Sequence, residues 1–172
     1  MYIASYNSHL QVLLVSSKED GRQYALKVME KRHLVEAGSA LYALNEMEAM
    51  QDLRHPFLMH MYGAFQDQTR FFYLLEYVGG GDLFQHVSRL TRLPEEWASL
   101  YAAEIALALD HIHKGSYLYR DLKLENVLIA TDGHAKLGDF GLARKHEGAN
   151  EKHTMAGTPS HMAPEVRCDE VS

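Results

Sequence analysis

The sequence has few of the residues that mark a secreted, fibrous or membrane-embedded protein. It contains one cysteine, Cys168, so no internal disulfide can form and a reducing compartment fits best. Four prolines and twelve glycines in 172 residues exclude a collagen-like or proline-rich chain. The apolar stretch at residues 10–15 is interrupted by Gln11 and is too short to cross a bilayer. We therefore expect no membrane insertion, and localisation in the cytoplasm, with the nucleus as the alternative.

The charge balance is acidic, which makes non-specific nucleic-acid binding a poor first hypothesis. Lysine and arginine together number 17 against 23 aspartates and glutamates, so the net charge is −6. The eleven histidines are scattered without cysteine partners or ligand spacing, so we do not expect a zinc site. A hydrophobic fraction of 47% is ordinary for a folded protein, and this length is sufficient for one or two compact cores.

The first half of the chain has mostly strand-like patterns. Two short apolar runs flank a turn signal at Asp20-Gly21 and predict a hairpin. A segment with apolar residues at helical spacing among strong helix formers follows, and then two more strands. The predicted elements are strands at 12–15, 24–29, 57–62 and 71–78, and a helix at 39–53.

After the glycine run 79–81 the pattern becomes helical. Pro94 with two following glutamates is typical of a helix start, and Gly115 predicts its end. Short strands are predicted at 127–129 and 135–137, and a long polar segment follows at 144–153. The pattern predicts an α+β protein with a strand-rich first part and a helix-led second part.

The densest chemical signal is the loop after the long predicted helix. Asp121, Lys123 and Asn126 supply a base, a cation and a neutral oxygen ligand close together. Phosphoryl transfer needs such a set, to orient a hydroxyl, neutralise a phosphate and hold a metal. Asp139 in an Asp-Phe-Gly tripeptide follows after one predicted hairpin, which returns the chain on itself. Each signal alone could be a solvated loop, but together they indicate a phosphoryl-transfer site.

These motifs resemble those of the eukaryotic protein kinases. The tyrosine before Arg120-Asp121, the Gly-Gly-Asp-Leu-Phe stretch at 80–84 and the Ala-Gly-Thr-Pro stretch at 156–159 are similar to one group. That group is the basophilic serine/threonine kinases, which include the cyclic-nucleotide-dependent, B and C types. The resemblance runs from about Tyr6 to Val166 and does not discriminate among the group's members.

The resemblance implies an α+β, two-lobed protein-kinase-like fold. The expected division is an N-lobe at residues 1–78, with one key helix and a degenerate phosphate loop at 5–10. A hinge follows at 79–82, and a partial, helical C-lobe at 83–172. In this interpretation the chain stops just after the family's Ala-Pro-Glu motif and the C-lobe is incomplete.

The resemblance also implies the catalytic and metal-binding roles. Asp121 would be the catalytic base for the substrate hydroxyl, and Lys123 would balance charge on the transferred phosphate. Asn126 and Asp139, as hard oxygen ligands, would hold Mg²⁺.

Lys27 would reach the α- and β-phosphates of ATP, and Glu46 on the 39–53 helix would pair with Lys27. The remaining implied nucleotide contacts are apolar or hinge residues that a plain core would also contain. The full implied ATP-binding set is Val12, Ala25, Lys27, Leu75, Glu76, Val78, Asp82 and Leu128.

Substrate selection and regulation are implied in the same way. Asp82 and Glu125 would attract an arginine upstream of the phosphorylated residue, which predicts protein substrates with basic flanks. Thr154 lies where this group carries an activating phosphothreonine added by an upstream kinase. Arg120 and Arg144 would bind that phosphate and order the 144–153 segment.

Two segments depart from the family pattern. The three glycines of the phosphate-covering loop would fall at Ser5, Asn7 and Leu10, and none of these is glycine. Near the end, Ser160-His161 replaces the group's usual Glu-Tyr, in the segment that normally shapes the pocket after the phosphorylated residue. We expect weakened nucleotide binding and altered substrate docking.

Three interpretations remain open. The preferred one is a serine/threonine kinase domain that uses ATP and Mg²⁺ and is weak or inactive as this truncated chain. The second is a pseudokinase-type module that binds a partner, favoured by the altered phosphate loop and opposed by the intact Lys27, Asp121, Asn126 and Asp139. The third is a gene-model fragment that does not fold alone.

Overall fold

A computed structural model describes residues 2–7, 10–146 and 156–167 of the chain, with the backbone alone for residues 2–7, 165 and 167. Within this part, no helix has the length and apolar character needed to cross a membrane.

The first part of the chain forms a five-stranded antiparallel sheet in the order β1-β2-β3-β5-β4. Its strands are β1 (Tyr2–Asn7), β2 (Leu10–Ser16), β3 (Gln23–Glu30), β4 (Met61–Gln66) and β5 (Arg70–Glu76). The β2–β3 turn forms because Gly21 adopts a φ of 70° and donates its N–H to the carbonyl of Ser17. The sheet places β3 at its centre, between β2 and β5.

Two helices connect β3 to β4: α1 (Lys31–Glu36) and α2 (Ala40–Asp52). The buried positions of α2 recur at helical spacing at Ala43, Glu46, Ala49 and Met50. The hydroxyl of Tyr73 in β5 donates to the carbonyl of Ala43 at 2.7 Å, which fixes the helix to the sheet. The one charged residue on this buried face is Glu46.

The second part contains the longest helix and several short strands. Its elements are α3 (Leu83–Leu90), α4 (Glu95–Lys114), β6 (Tyr117–Leu118), β7 (Val127–Ile129), β8 (Ala135–Leu137), β9 (Arg144–Lys145) and α5 (Pro164–Arg167). Two acidic residues in the first turn of α4 and three basic or histidine residues in its last turn complement the helix dipole. Strand β6 pairs with β9, and β7 pairs with β8, both antiparallel.

The glycine run connects the two parts through a close backbone approach. The N–H of Gly80 donates to the carbonyl of Ile129, and the N–H of Ile129 donates to the carbonyl of Gly81, both at 2.9 Å. A Cβ at position 80 would lie 2.3 Å from the carbonyl oxygen of Ile129, so only glycine fits. A shared core of buried apolar residues spans both parts, including Met50, Leu58 and Phe140.

The predicted α+β class is confirmed, and so is the predicted hairpin, which is formed by β2 and β3. The predicted bounds of the two long helices, α2 and α4, agree with the structure to within one residue at each end. The predicted strand at 57–62 is wrong, because the strand begins at Met61 and ends at Gln66. Phe57 and Leu58 are apolar because their segment packs against β8: the N–H of Leu137 donates to the carbonyl of Phe57, and Leu58 is 2% exposed. Strand β1 and helices α1 and α3 were not predicted.

Candidate active site

A buried ion pair joins the sheet to α2. The Nζ of Lys27 lies 2.6 Å from Oε1 of Glu46, and their side chains are 14% and 4% exposed. Burial raises the pKa of Glu46, with Lys27 opposing this and the nearby Asp139 reinforcing it. The structure therefore brings the predicted pair Lys27 and Glu46 together, and the charge of Asp139 also affects the pKa of Glu46.

Asp121 is held by hydrogen bonds on both carboxylate oxygens. Its Oδ1 accepts from the backbone N–H and the hydroxyl of Thr158, at 3.0 and 2.7 Å. Its Oδ2 accepts from Lys123 Nζ at 2.7 Å and from the amide of Asn126 at 3.1 Å. Lys123 and Asn126, predicted from the same loop, thus both contact the carboxylate of Asp121.

The pKa of Asp121 is lowered by these partners. Burial pushes this pKa upward, but the hydrogen bonds from Lys123 and Thr158, the charge of Lys123 and the hydrogen bond from Asn126 outweigh it. Asp121 is therefore an ionised carboxylate at neutral pH, as a group that orients a substrate hydroxyl must be.

The two predicted metal ligands, Asn126 and Asp139, carry oxygen atoms of the kind that a hard divalent cation prefers. Asn126 is buried. Its amide nitrogen donates to both the backbone carbonyl and the side-chain carboxylate of Asp121, and these bonds fix the direction of the amide oxygen. Asp139 is exposed, and one of its oxygens accepts from the N–H of Gly141 at 3.2 Å. An amide oxygen and a carboxylate suit Mg²⁺. In the described part of the chain, no three His, Cys, Asp or Glu side chains converge as metal ligands.

Two residues of the site have left-handed backbone conformations. The φ angles of Arg120 and Asp139 are 67° and 46°, values uncommon for residues other than glycine. Next to Asp139, Phe140 is 1% exposed, and its ring packs edge-on to Tyr119 with 5.5 Å between centroids. The Tyr119 hydroxyl donates to the carbonyl of Gly138. This packing holds the strained Asp139 in place.

Three of the predicted adenine-contacting residues lie in the five-stranded sheet, and the fourth, Leu128, lies in β7 of the second part. Val12 pairs with Lys27 across β2 and β3, and Ala25 pairs with Leu75 across β3 and β5. Leu75 is 4% exposed, whereas Val12, Ala25 and Leu128 are only partly buried. The last of these, Leu128, forms an isolated bridge with Asp82.

Glu76, one of the predicted nucleotide contacts, uses both its backbone and its side chain in contacts within the protein. Its N–H donates to the carbonyl of His60 at 2.8 Å, and its carboxylate lies 3.0 Å from Lys136 Nζ. Strand β5 ends at Glu76, so Val78 lies in the connection that follows. Nucleotide contact at Glu76 and Val78 stays a prediction.

The two acids predicted to select substrates lie on adjoining elements. Asp82 is the N-cap of α3, and its two carboxylate oxygens accept from the backbone and side-chain nitrogens of Gln85. Glu125 is exposed, in a 3₁₀ turn at Leu124–Asn126 that packs against α3. Asp82 therefore has a local structural role besides the predicted contacts with ribose and arginine.

The phosphate-loop positions lie in the β1–β2 hairpin. Ser5 pairs with Val12 and Asn7 pairs with Leu10, with a register irregularity between Ile3 and Ser5. Residues 8 and 9 lie outside the described part.

The two predicted phosphate-binding arginines lie at and just beyond the paired strands β6 and β9. Arg144 in β9 is the register partner of Leu118, two residues before Arg120, whose Nε donates to the carbonyl of Leu142 at 2.8 Å. Thr154 lies outside the described residues. Ser160 and His161 lie in an exposed 3₁₀ turn, Pro159–His161. Within this turn, Ser160 Oγ is 3.0 Å from His161 Nδ1.

Sequence reasoning missed the contact of Thr158 with Asp121. The residue was recognised only as part of a motif, yet its hydroxyl also lies 3.1 Å from Lys123 Nζ. Gly157 beside it has a φ of 130°, and a Cβ there would lie 2.6 Å from the carbonyl oxygen of Arg120. The Gly-Thr dipeptide is the signal that could have indicated a tight approach to the catalytic loop.

The sequence matches the profile of the protein kinase domain over residues 8–170. The chain belongs to the protein kinase domain family. Three curated relatives that are similar to this kinase domain are serine/threonine or cAMP-dependent kinases. They are a RAC family serine/threonine-protein kinase homolog of Dictyostelium discoideum (39% identical), human RAC-beta serine/threonine-protein kinase (42%) and the cAMP-dependent protein kinase catalytic subunit of Dictyostelium discoideum (39%).

Each alignment covers 91% of this chain but only part of the relative. The chain spans 36% of the RAC family homolog, 33% of human RAC-beta and 24% of the cAMP-dependent catalytic subunit. This kinase domain is therefore similar to about a third or less of those proteins.

Proposed function

We propose that this chain carries the phosphoryl-transfer site of a serine/threonine protein kinase. The observation that supports the proposal is the carboxylate of Asp121, ionised and surrounded by Lys123, Asn126 and Thr158. Relatives at about 40% identity bear serine/threonine kinase names. The substrates we infer are serine or threonine hydroxyls of proteins.

The residues would divide the chemistry as follows. ATP with Mg²⁺, when bound, supplies the γ-phosphoryl group. Asp121 orients the substrate hydroxyl and accepts its proton, and Lys123 neutralises charge on the phosphate. Lys27, held by Glu46, binds the nucleotide phosphates, while Asn126 and Asp139 would hold the metal. The partly buried Val12, Ala25 and Leu128, with buried Leu75, supply apolar contact for adenine.

Basic residues upstream of the acceptor are the inferred specificity. Asp82 and Glu125 provide two carboxylates on adjoining elements, and a guanidinium binds paired carboxylates well. The single cysteine of this chain is typical of a reducing compartment, so we infer that its substrates are proteins of the cytoplasm or nucleus.

The direct test measures stabilisation of the full chain by ATP with and without Mg²⁺. We expect the melting temperature to rise with MgATP, and this rise to be lost in Asp139→Asn but retained in the control Glu19→Gln. Asparagine tolerates the left-handed backbone of Asp139, so the substitution removes charge without adding strain. A metal-independent rise, or none, contradicts the proposal.

The pseudokinase alternative is supported by the glycine-free positions Ser5, Asn7 and Leu10. An assay of phosphate transfer to a peptide with upstream arginines distinguishes the pseudokinase alternative from the proposed kinase. The enzyme requires transfer that Asp121→Asn abolishes, whereas a binding module shows MgATP stabilisation without transfer. The fragment interpretation requires that the chain show no cooperative unfolding transition at all.

We further propose that phosphorylation of Thr154 by an upstream kinase activates the domain. Arg144 pairs with Leu118, two positions before Arg120 in the sequence, and these two arginines would supply the cations for a dianionic phosphate. Thr154→Ala should abolish activation by an upstream kinase, while Thr131→Ala on an exposed turn should not. Unchanged activation of Thr154→Ala contradicts this proposal.

A further inference from the structure

The last residue of α2 contacts the second part of the chain. Oδ2 of Asp52 accepts a hydrogen bond from the hydroxyl of Tyr117 at 2.7 Å. The same oxygen lies 3.9 Å from Nζ of Lys145, which itself lies 5.6 Å from the centre of the Tyr117 ring. We call Asp52, Tyr117 and Lys145 the α2 junction.

Two members of the α2 junction are direct cross-strand partners. Tyr117 in β6 pairs with Lys145 in β9. Asp52 can therefore contact both residues at once only while β6 and β9 are paired. The junction makes the end of α2 dependent on the pairing of two strands that are distant in sequence.

The placement of Asp52 is unfavourable for α2 alone. The C-terminal end of a helix carries partial negative charge, which disfavours an acid there, and the last turn of α2 contains no basic residue. Tyr117 and Lys145 supply the compensating donor and positive charge from outside the helix. Burial and the hydrogen bond to Asp52 raise the pKa of Tyr117, so its hydroxyl remains a donor.

The elements that meet at the junction lead to the candidate site. Helix α2 carries Glu46, which pairs with Lys27. Strand β6 leads directly to the loop that holds Asp121, and β9 begins the segment that contains Thr154. A displacement of α2 from β6 and β9 would move Glu46 relative to Asp121.

We propose that Asp52 is a positioning residue, which uses the α2 junction to couple β6–β9 pairing to the placement of Glu46 against Lys27. The proposal rests on the proposed kinase function, because it assigns a means of regulating that same site. Loss of the junction releases the end of α2 and weakens nucleotide binding through Lys27. Neither Asp52 nor its two partners contacts the reacting groups.

The first experiment needs no nucleotide and measures amide hydrogen exchange in the full chain. Asp52→Ala, Tyr117→Phe and Lys145→Gln should each speed exchange in α2, with α4 as the internal reference. Asp52→Asn should have a smaller effect than Asp52→Ala, because its amide oxygen can still accept from Tyr117. The control is Asp110→Ala, which removes a similarly exposed pair with Lys114.

For Asp52→Ala we expect α2 exchange to rise about fivefold or more, the lower range of typical coupling between sites. An equal rise in α2 and α4 would show general destabilisation and overturn the proposal. No change in α2 would overturn it as well.

The second experiment measures the dissociation constant of MgATP for the same variants. We expect about fivefold weaker binding in Asp52→Ala and no change in Asp110→Ala. Combining Asp52→Ala with Glu46→Gln should add little further loss, because both act through Lys27. If the losses of MgATP affinity in Asp52→Ala and Glu46→Gln are fully additive in the double variant, the proposed coupling between Asp52 and Glu46 is overturned. If the unaltered chain binds no MgATP, the proposed function fails, and the exchange experiment still decides the role of Asp52.

Discussion

The side chain of Thr158 shows how much one residue distant in sequence contributes to the site. It lies 37 positions from Asp121, yet its hydroxyl donates to that carboxylate at 2.7 Å and its backbone N–H at 3.0 Å. Hydrogen bonds to a charged group are stronger than those between neutral groups. A residue outside the loop of Asp121 therefore helps to lower the pKa of its carboxyl.

Thr158→Val should lower the free energy of unfolding by about 1 kcal/mol, since valine has the same shape but cannot donate to Asp121. A lowered carboxyl pKa adds stability above the ordinary value of 3.8, and that stability is lost only as the pH falls through the lowered pKa. The loss in Thr158→Val should thus be equal at pH 5.5 and pH 8 in urea denaturation. Thr131→Val is the control, and a loss that changes across this range contradicts the lowered pKa.

Glu46 should give the opposite dependence on pH. Because burial raises its pKa, the folded state binds more protons than the unfolded state above the ordinary value of 4.5. Stability therefore falls as the pH rises through the window from 4.5 to the raised pKa. Urea denaturation in steps from pH 4 to 7 should show this fall in the unaltered chain relative to Glu46→Gln. A difference between the two that stays constant or rises with pH argues against a raised pKa.

The residue-level site was predictable where the motifs were local or regularly spaced. Asp121, Lys123 and Asn126 lie within one loop, and in the structure Lys123 and Asn126 both donate to the Asp121 carboxylate. Lys27 and Glu46 were matched through the family motif and lie 2.6 Å apart. The contacts of Thr158 and Asp52 were not predictable, because no local pattern indicates which distant residue a side chain will reach.

At the scale of elements, α4 and β8 are joined by a buried acid and a surface histidine. Oε2 of Glu104, which is 3% exposed, accepts from the N–H of Ala135 at 2.8 Å. Its Oε1 lies 2.6 Å from Nδ1 of His134. The hydrogen bond and charge of Glu104 raise the pKa of His134.

This link should make the stability of the folded state fall as the pH rises above 6.5 and through the raised pKa of His134. A raised histidine pKa adds stability that is fully present below the ordinary value of 6.5 and is lost as the pH rises through the raised value. The unaltered chain should exceed His134→Gln in stability at pH 6, and the difference should shrink by pH 8.5. Denaturation of both chains checks this, with the exposed His113→Gln as control. A difference independent of pH contradicts the link.

The connection between the two parts of the chain should tolerate no added methyl group at Gly80. A Cβ there would lie 2.3 Å from a backbone oxygen of β7, which cannot move aside without breaking the strand. Gly80→Ala should therefore lower the free energy of unfolding by about 1–3 kcal/mol in urea denaturation. Gly79→Ala is the matched control, because its Cβ would meet only the exposed ring of Tyr77 at 3.2 Å. Equal effects at the two positions would contradict this explanation.

Elements with a regular spacing of apolar residues or a clear turn signal could be predicted from the sequence. Short helices that depend on a capping side chain could not. Helix α4 was indicated by its spacing and its terminal charges. Helix α3 depends on the N-cap Asp82, which was considered only as a ligand-contacting acid. The displaced β4 reflects apolar residues at Phe57 and Leu58 that pack beside β8 without forming a strand.

At the scale of the whole molecule, α4 presents an apolar face to solvent. Trp97, Leu100 and Leu107 lie at helical spacing and are 46%, 46% and 54% exposed. Contiguous exposed apolar surface favours association.

We expect the chain to self-associate through this face. Substitution of Trp97, Leu100 and Leu107 by glutamine should reduce the concentration-dependent rise in mass seen by sedimentation velocity. The stability of the monomer should change by less than about 0.5 kcal/mol per site, because these side chains are outside the core. Leu41→Gln with Leu44→Gln on α2 is the comparison, and an equal effect there would show that α4 has no special part.

The bonds between Asp121 and Thr158 also make the site dependent on an unbroken backbone. Because the two residues belong to one chain, their contact is intramolecular and does not depend on protein concentration. One proteolytic cut between Lys145 and Gly157 would turn this contact into a bimolecular association. If the released piece dissociated, Asp121 would lose the two hydrogen-bond donors that Thr158 supplies, without any change of amino acid.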